Sequence, residues 1–150
     1  MKITQEADYA LRMVCLLADA AKTKALPVGA PAMAEAVAIP QGFAMKILRK
    51  LSLAGIVKSS RGVSGGYALD KDPNLLTVRR VIEVIDGPIE ISKCLSDSHQ
   101  CLNNPNKDCC RFHHVFDSLN QMLIRRLDRL TIGMMTDKEI PLSELLGIIE

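Results

Sequence analysis

The sequence predicts a mainly α-helical protein with one small β-hairpin: a winged helix-turn-helix carrying a long C-terminal dimerisation helix. Three observations predict it. Three helical apolar patterns come first, two short strand-like runs then flank a glycine-rich tip, and a single long helical pattern follows a polar, cysteine-rich stretch. Composition agrees: of 150 residues 48% are apolar, yet there is no Trp and only 3% are aromatic, so the core is aliphatic and Met-rich, which suits helices.

The first helix is expected over 5–21, where Ala7, Ala10, Leu11, Val14, Leu17 and Ala18 recur at i, i+3, i+4 spacing and Thr4 can cap the start. Cys15, mid-helix beside that stripe, reads as core. Pro27 and Gly29 mark a loop before a short helix with Pro31 in its first turn and Met33 and Val37 facing inward. A third helix spans 41–54, buried through Phe43, Ile47, Leu48 and Leu51 and stopped at Gly55. Residues 56–60 form a strand, Arg61-Gly62-Val63-Ser64-Gly65-Gly66 the tip, and Tyr67-Ala68-Leu69 the return. Thr77 caps a helix to about Ile85, closed by Gly87-Pro88.

The stretch 92–110 is polar, with a turn signal at Asn103-Asn104-Pro105-Asn106. The long helix, about 110–130, spaces Phe112, Phe116, Leu119, Leu123, Leu127 and Leu130 by 4, 3, 4, 4 and 3, the seam of a helix that pairs along its length. Short closing helices, interrupted at Pro141, complete the chain. The expected organisation is a DNA-binding domain at 1–87, a cysteine loop at 88–110, and a dimerisation helix with C-terminal helices at 111–150.

A net charge of +2 conceals an asymmetry. Residues 1–80 carry 12 Lys and Arg against 6 Asp and Glu, a balance of +6, while residues 81–150 carry 7 against 11, a balance of −4. No acidic residue falls between Glu35 and Asp70, where Lys46, Arg49, Lys50, Lys58 and Arg61 all lie, a local field suited to a polyanion. In a helix-turn-helix the second helix of the motif meets base edges through its N-terminal residues. Gln41 is placed for adenine and Lys46 for guanine, or either for phosphate alone. Arg49, Lys50 and Lys58 read as backbone contacts, which make binding salt-dependent. Arg61, at the wing tip, reads as a minor-groove contact. A symmetric dimer implies a pseudo-palindromic duplex site.

Four of the five cysteines, Cys94, Cys101, Cys109 and Cys110, lie in one polar stretch with His99, His113 and His114 interleaved. Packing gives no reason for thiols among Ser, Asp, Asn and Lys, so a shared partner does: a metal, a cluster or one another. His99 and His114 read as exposed; on spacing alone His113 is as much ligand as surface.

The order MKIT…DYALR, LRKLSLAGIV, RGVSGGYAL, GPIE and a cysteine loop before a long helix resembles the IscR/NsrR (Rrf-two) family of bacterial transcription regulators across essentially the whole chain. The R-G-x-x-G-G-Y wing ending in Tyr67 and the three-Cys loop carry it most specifically. The resemblance implies a dimeric winged-helix regulator whose loop cysteines hold an iron–sulfur cluster ([2Fe-2S] or [4Fe-4S]) that sets DNA affinity; a repressor is the expected role, with an activator left open. Cys94, Cys101 and Cys110 match the metal ligands. The fourth ligand stays open between His113, in a Cys-x-x-His arrangement with Cys110; Asp8, matching a helix-one carboxylate used from the partner subunit by nitric-oxide sensors; and Cys109. The loop is longer than the family's usual one, and Met45 stands where iron–sulfur biogenesis regulators have a glutamate that reads a base, so target sequence and switching logic do not transfer.

Two alternatives bind the same thiols differently: a structural zinc, whose ligand gaps of about two to four residues are narrower than these, and a metal-free switch in which Cys109 or Cys110 pairs with Cys101. An enzyme reading lacks an oriented third group beside any Cys–His pair. No small-molecule substrate and no membrane are expected; the N-terminus has no signal-peptide pattern and the compartment reads as cytoplasm.

Overall fold

Helix α1 (Gln5–Lys22) is the element around which the others assemble. The computed structural model describes residues 2–97, 101–102 and 106–149. Thr4 caps α1 as expected, its Oγ1 accepting from Ala7 N–H at 3.2 Å. Ala7, Ala10, Met13, Val14, Leu17 and Ala18 are buried, so the stripe read from sequence gains Met13 while Leu11 is half-buried. Cys15 is also only half-buried, packed against the core rather than inside it.

Helix α2 (Ala30–Ala36) carries Pro31 in its first turn, and a turn leads to α3 (Gln41–Leu53). That turn is tight: Ala38 has φ +56° and Ile39 N–H reaches Ala34 O at 3.0 Å. Ala44, Ile47, Leu48 and Leu51 bury one face of α3, and Ile56 N–H closes the helix end on Leu51 O at 2.9 Å.

Strands β1 (Val57–Ser60) and β2 (Gly66–Leu69) pair antiparallel with Val57 opposite Leu69 and Ser60 opposite Gly66. A further rung was not legible in the sequence: Val28 and Tyr67 exchange N–H···O bonds of 2.9 Å in both directions, tying the loop before α2 to the wing. The paired glycines follow from this crowding. A Cβ on Gly65 would lie 2.5 Å from Ser60 O, and one on Gly66 2.7 Å from Val28 O.

Helix α4 (Val78–Asp86), capped by Thr77, buries Val78, Val81, Ile82 and Ile85 against α1 and α3. Those four side chains contribute roughly 6–12 kcal/mol before chain entropy is subtracted. Both carboxylate oxygens of Asp86, at its end, bind Thr4: N–H to Oδ2 at 3.1 Å and Oγ1 to Oδ1 at 2.5 Å.

Helix α5 (Arg111–Arg129) returns to this head. Val78 N–H donates to Leu130 O and Ile132 N–H to Leu76 O, each at 2.8 Å, around a Thr77–Thr131 bridge. The expected seam divides in two. Leu123, Leu127 and Leu130 pack on the chain's own core, Phe116 is half-buried, and Phe112 and Leu119 are 73% and 47% exposed, beside Val115 and Met122, which lie off the expected seam and are 55% and 49% exposed. The sequence showed one stripe because spacing does not distinguish a neighbour in the same subunit from one outside it. Helices α6 (Ile132–Met135) and α7 (Leu142–Ile149) close the chain on either side of Pro141, α7 packing against α5.

Candidate nucleic-acid interface and cysteine loop

The exposed face of α3 carries Gln41, Gly42, Met45, Lys46 and Arg49. It is exposed because Ala44, Ile47, Leu48 and Leu51 bury the opposite side of the cylinder. Gln41 stands in the first turn with its side chain in solvent. Met45, one turn on, is 42% exposed, and its Sδ accepts from the Tyr67 hydroxyl at 3.8 Å, so wing and helix meet there.

The basic residues differ in what holds them. Arg49 and Arg61 are exposed, Arg61 at the wing tip. Lys58 lies 3.6 Å from Asp70 across the hairpin, with both side chains about half exposed or more. Lys50 points inward: its Nζ is 2.7 Å from Glu6 Oε1 and donates to Ile85 O at 3.3 Å. Lys46 Nζ is 4.0 Å from the other oxygen of Glu6. Glu6 therefore joins α1 to two lysines of α3, a link that local sequence patterns do not reveal.

Beyond α4 the chain is held by a residue that sequence patterns did not single out. Asn120 is the buried residue of α5, 5% exposed; its Nδ2 donates to Ile89 O at 2.9 Å and its Oδ1 accepts from Ile91 N–H at 3.0 Å. The signal was present: Asn120 falls four residues after Phe116 and three before Leu123, a polar residue on the inward stripe. One amide thus satisfies two backbone groups of the segment leading into the cysteines.

Cys94 sits in a single 3₁₀ turn, Lys93–Leu95, half-buried, with Ser92 Oγ 3.3 Å from its Sγ. Cys101 is half-buried. Cys109 is exposed and its Sγ accepts from Asn106 Nδ2 at 3.4 Å. Cys110 is the N-cap residue of α5, half-buried. One turn along, His113 keeps a buried Nδ1 with no hydrogen-bond partner among the described residues, whereas exposed His114 places Nε2 2.8 Å from Asp108 O. His99 and residues 103–105 lie outside the described residues.

Asp8 lies on α1, its Oδ2 accepting from Arg12 Nε at 2.9 Å, which raises the Arg12 pKa. It borders an open groove of about 780 Å³ with Tyr9, Arg12, Cys15 and Val37. Among the described residues, no three His, Cys, Asp or Glu side chains gather where they would hold one metal ion. The donors thus fit an iron–sulfur group in kind, four thiols plus an imidazole nitrogen withdrawn from water without a partner, and would have to converge to hold it.

Three helices, a turn before the third and a glycine-tipped hairpin braced against it define a winged helix-turn-helix. The Rrf2 family, described as iron-dependent transcriptional regulators, matches residues 3–138. The chain is 35% identical over 149 residues to an Rrf2-like helix-turn-helix transcriptional regulator of Rhodobacter capsulatus, covering 96% of this chain and 98% of that one. It is 28% identical to the regulator NsrR of Bacillus licheniformis, covering 88% and 90%. Its fold matches CymR, the global cysteine regulator of Bacillus subtilis, with a TM-score of 0.67 at 24% identity, over 91% of this chain and 96% of that one. The chain belongs to the Rrf2 family of DNA-binding transcriptional regulators. Among the described residues no helix is long and apolar enough to cross a membrane.

Proposed function

We propose that this chain is a homodimeric transcriptional repressor whose hold on promoter DNA is switched by an iron–sulfur cluster responding to iron, nitric oxide or redox state. Cys94, Cys101 and Cys110 are its thiolate ligands, with His113, Asp8 reaching across the dimer, or Cys109 completing the set. The observation that carries this is the start of α5, where a thiol at the helix N-cap and a buried imidazole nitrogen, without a partner among the described residues, stand one turn apart. When bound, such a cluster would supply redox-active iron, and a fourth ligand from His113 or Asp8 rather than Cys109 would raise its potential and lability.

The chain's own residues supply the rest. Residues 1–87 form the reading head, 88–110 the sensing loop and 111–150 the pairing unit. Gln41, Met45 and Lys46 face the major groove, Arg49 and Lys58 the phosphates, and Arg61 the minor groove, with Tyr67 bracing the wing on α3. Lys50 adds charge to this face while anchored on Glu6. The loop reaches the head by two short routes: Asn120 fixes Ile89 and Ile91, and Asp86 fixes Thr4 at the start of α1.

A metal-free thiol switch is the second reading. It is favoured by exposed Cys109 beside Cys110, by donors that among the described residues are not gathered around one point, and by the fold shared with a regulator named for cysteine. Anaerobic purification followed by iron and sulfide analysis separates the two. The cluster reading expects both elements, with visible absorbance lost in Cys94→Ala, Cys101→Ala and Cys110→Ala. Colourless, iron-free protein that cannot be reconstituted supports the thiol switch.

A further inference from the structure

Between the polar Gln41 and Lys46, the exposed face of α3 carries one large apolar side chain, Met45. Met45 lies at i+4 from Gln41 and i+3 from Gly42, so all three share the outward face of the first turns of α3. Its side chain is 42% exposed, with no core to fill. The Tyr67 hydroxyl donates to its sulfur at 3.8 Å, which steadies a thioether that is otherwise free in three torsions. Nothing lies within 4 Å of where a Cβ of Gly42 would stand, so the backbone one turn before Met45 is open to an approaching group. That combination admits a small apolar group from outside.

In the major groove the only apolar group on a base edge is the C5-methyl of thymine. Resting on the assignment of α3 to the major groove, we propose that Met45 is a specificity-determining residue that reads a thymine methyl in each half-site, beside Gly42 and held by Tyr67. The test starts from the duplex that the full-length chain enriches from a randomised pool. Each thymine of that duplex is then replaced by deoxyuridine, which removes the methyl and leaves base pairing intact.

Removing a single methyl, at one sensitive position in either half-site, is expected to weaken binding about fourfold, the effect of one buried methyl-sized group. Met45→Ala, at an exposed position that does not threaten the fold, is expected to bind thymine and uracil duplexes alike, while Met45→Leu keeps part of the preference. Indifference of the wild-type protein to every replacement, or a preference that survives in Met45→Ala, overturns the inference and leaves the DNA-reading head standing. If no sequence is enriched at all, the assignment of α3 to the major groove fails and this inference falls with it.

Discussion

The ammonium of Lys50 on α3 lies 2.7 Å from the Glu6 carboxylate on α1, in an ion pair less than half exposed on either side. The approach is off the line of a good hydrogen bond, so Glu6 Oε1 has charge compensation without a well-directed donor. The pair fixes the reading helix to the helix that bears Asp8. Glu6→Gln should cost about 1–2 kcal/mol in urea unfolding, between the value of an exposed pair and that of a buried one. A double-mutant cycle with Lys50→Met should show coupling, and additive losses would deny it. Because Lys50 is held inward, Lys50→Gln should change the salt dependence of DNA binding less than Arg49→Gln does. The arginine change should lower the slope by about 1, the share of a single neutralised phosphate.

Asn120 supports the segment that enters the cysteine loop. Asn120→Ala leaves Ile89 O and Ile91 N–H without their partner and should cost about 2–3 kcal/mol, with faster amide exchange at Ile91 than at neighbouring amides. Unchanged exchange at Ile91 would show that the Asn120 side chain does not protect that amide.

The exposed half of the α5 stripe should be the pairing surface. Leu119→Asp and Phe112→Asp alter side chains that touch little of their own subunit, so each should yield folded monomer by light scattering. Duplex binding should weaken at least tenfold, since one head then acts alone. Leu127→Asp should instead unfold the chain, because Leu127 packs on the core.

Burial raises the Cys15 thiol pKa, with Asp19 adding to the effect. A raised pKa leaves less thiolate at any pH below it. Alkylation of Cys15 should therefore be slow at neutral pH, with its rate–pH curve displaced upward from that of a free thiol. Exposed Cys109 should react first under the same conditions by mass-spectrometric mapping.

What the sequence disclosed was local. Thr4 and Thr77 as caps, Pro31 in a first turn, Gly55 beyond α3 and the glycine-tipped wing all follow from short-range backbone chemistry, and the structure has them. What stayed hidden joins residues far apart in the chain. The Val28–Tyr67 rung, the Asp86–Thr4 clamp, the Glu6–Lys50 pair and the reach of Asn120 to Ile89 depend on how elements pack, which periodicity does not encode. The candidate site divides in the same way. Residue types and spacing singled out the cysteines, but the contrast between the unpartnered ring nitrogen of His113 and the engaged one of His114 needed coordinates.

The central claim is that the state of the cysteine loop governs the grip of the heads on DNA. The most direct measurement is anaerobic fluorescence anisotropy on the enriched duplex at one fixed salt concentration, using cluster-loaded protein and the same preparation after removal of its iron. The account predicts dissociation constants at least tenfold apart, a gap abolished in Cys110→Ala. Equal affinities for iron-loaded and iron-free protein would contradict it.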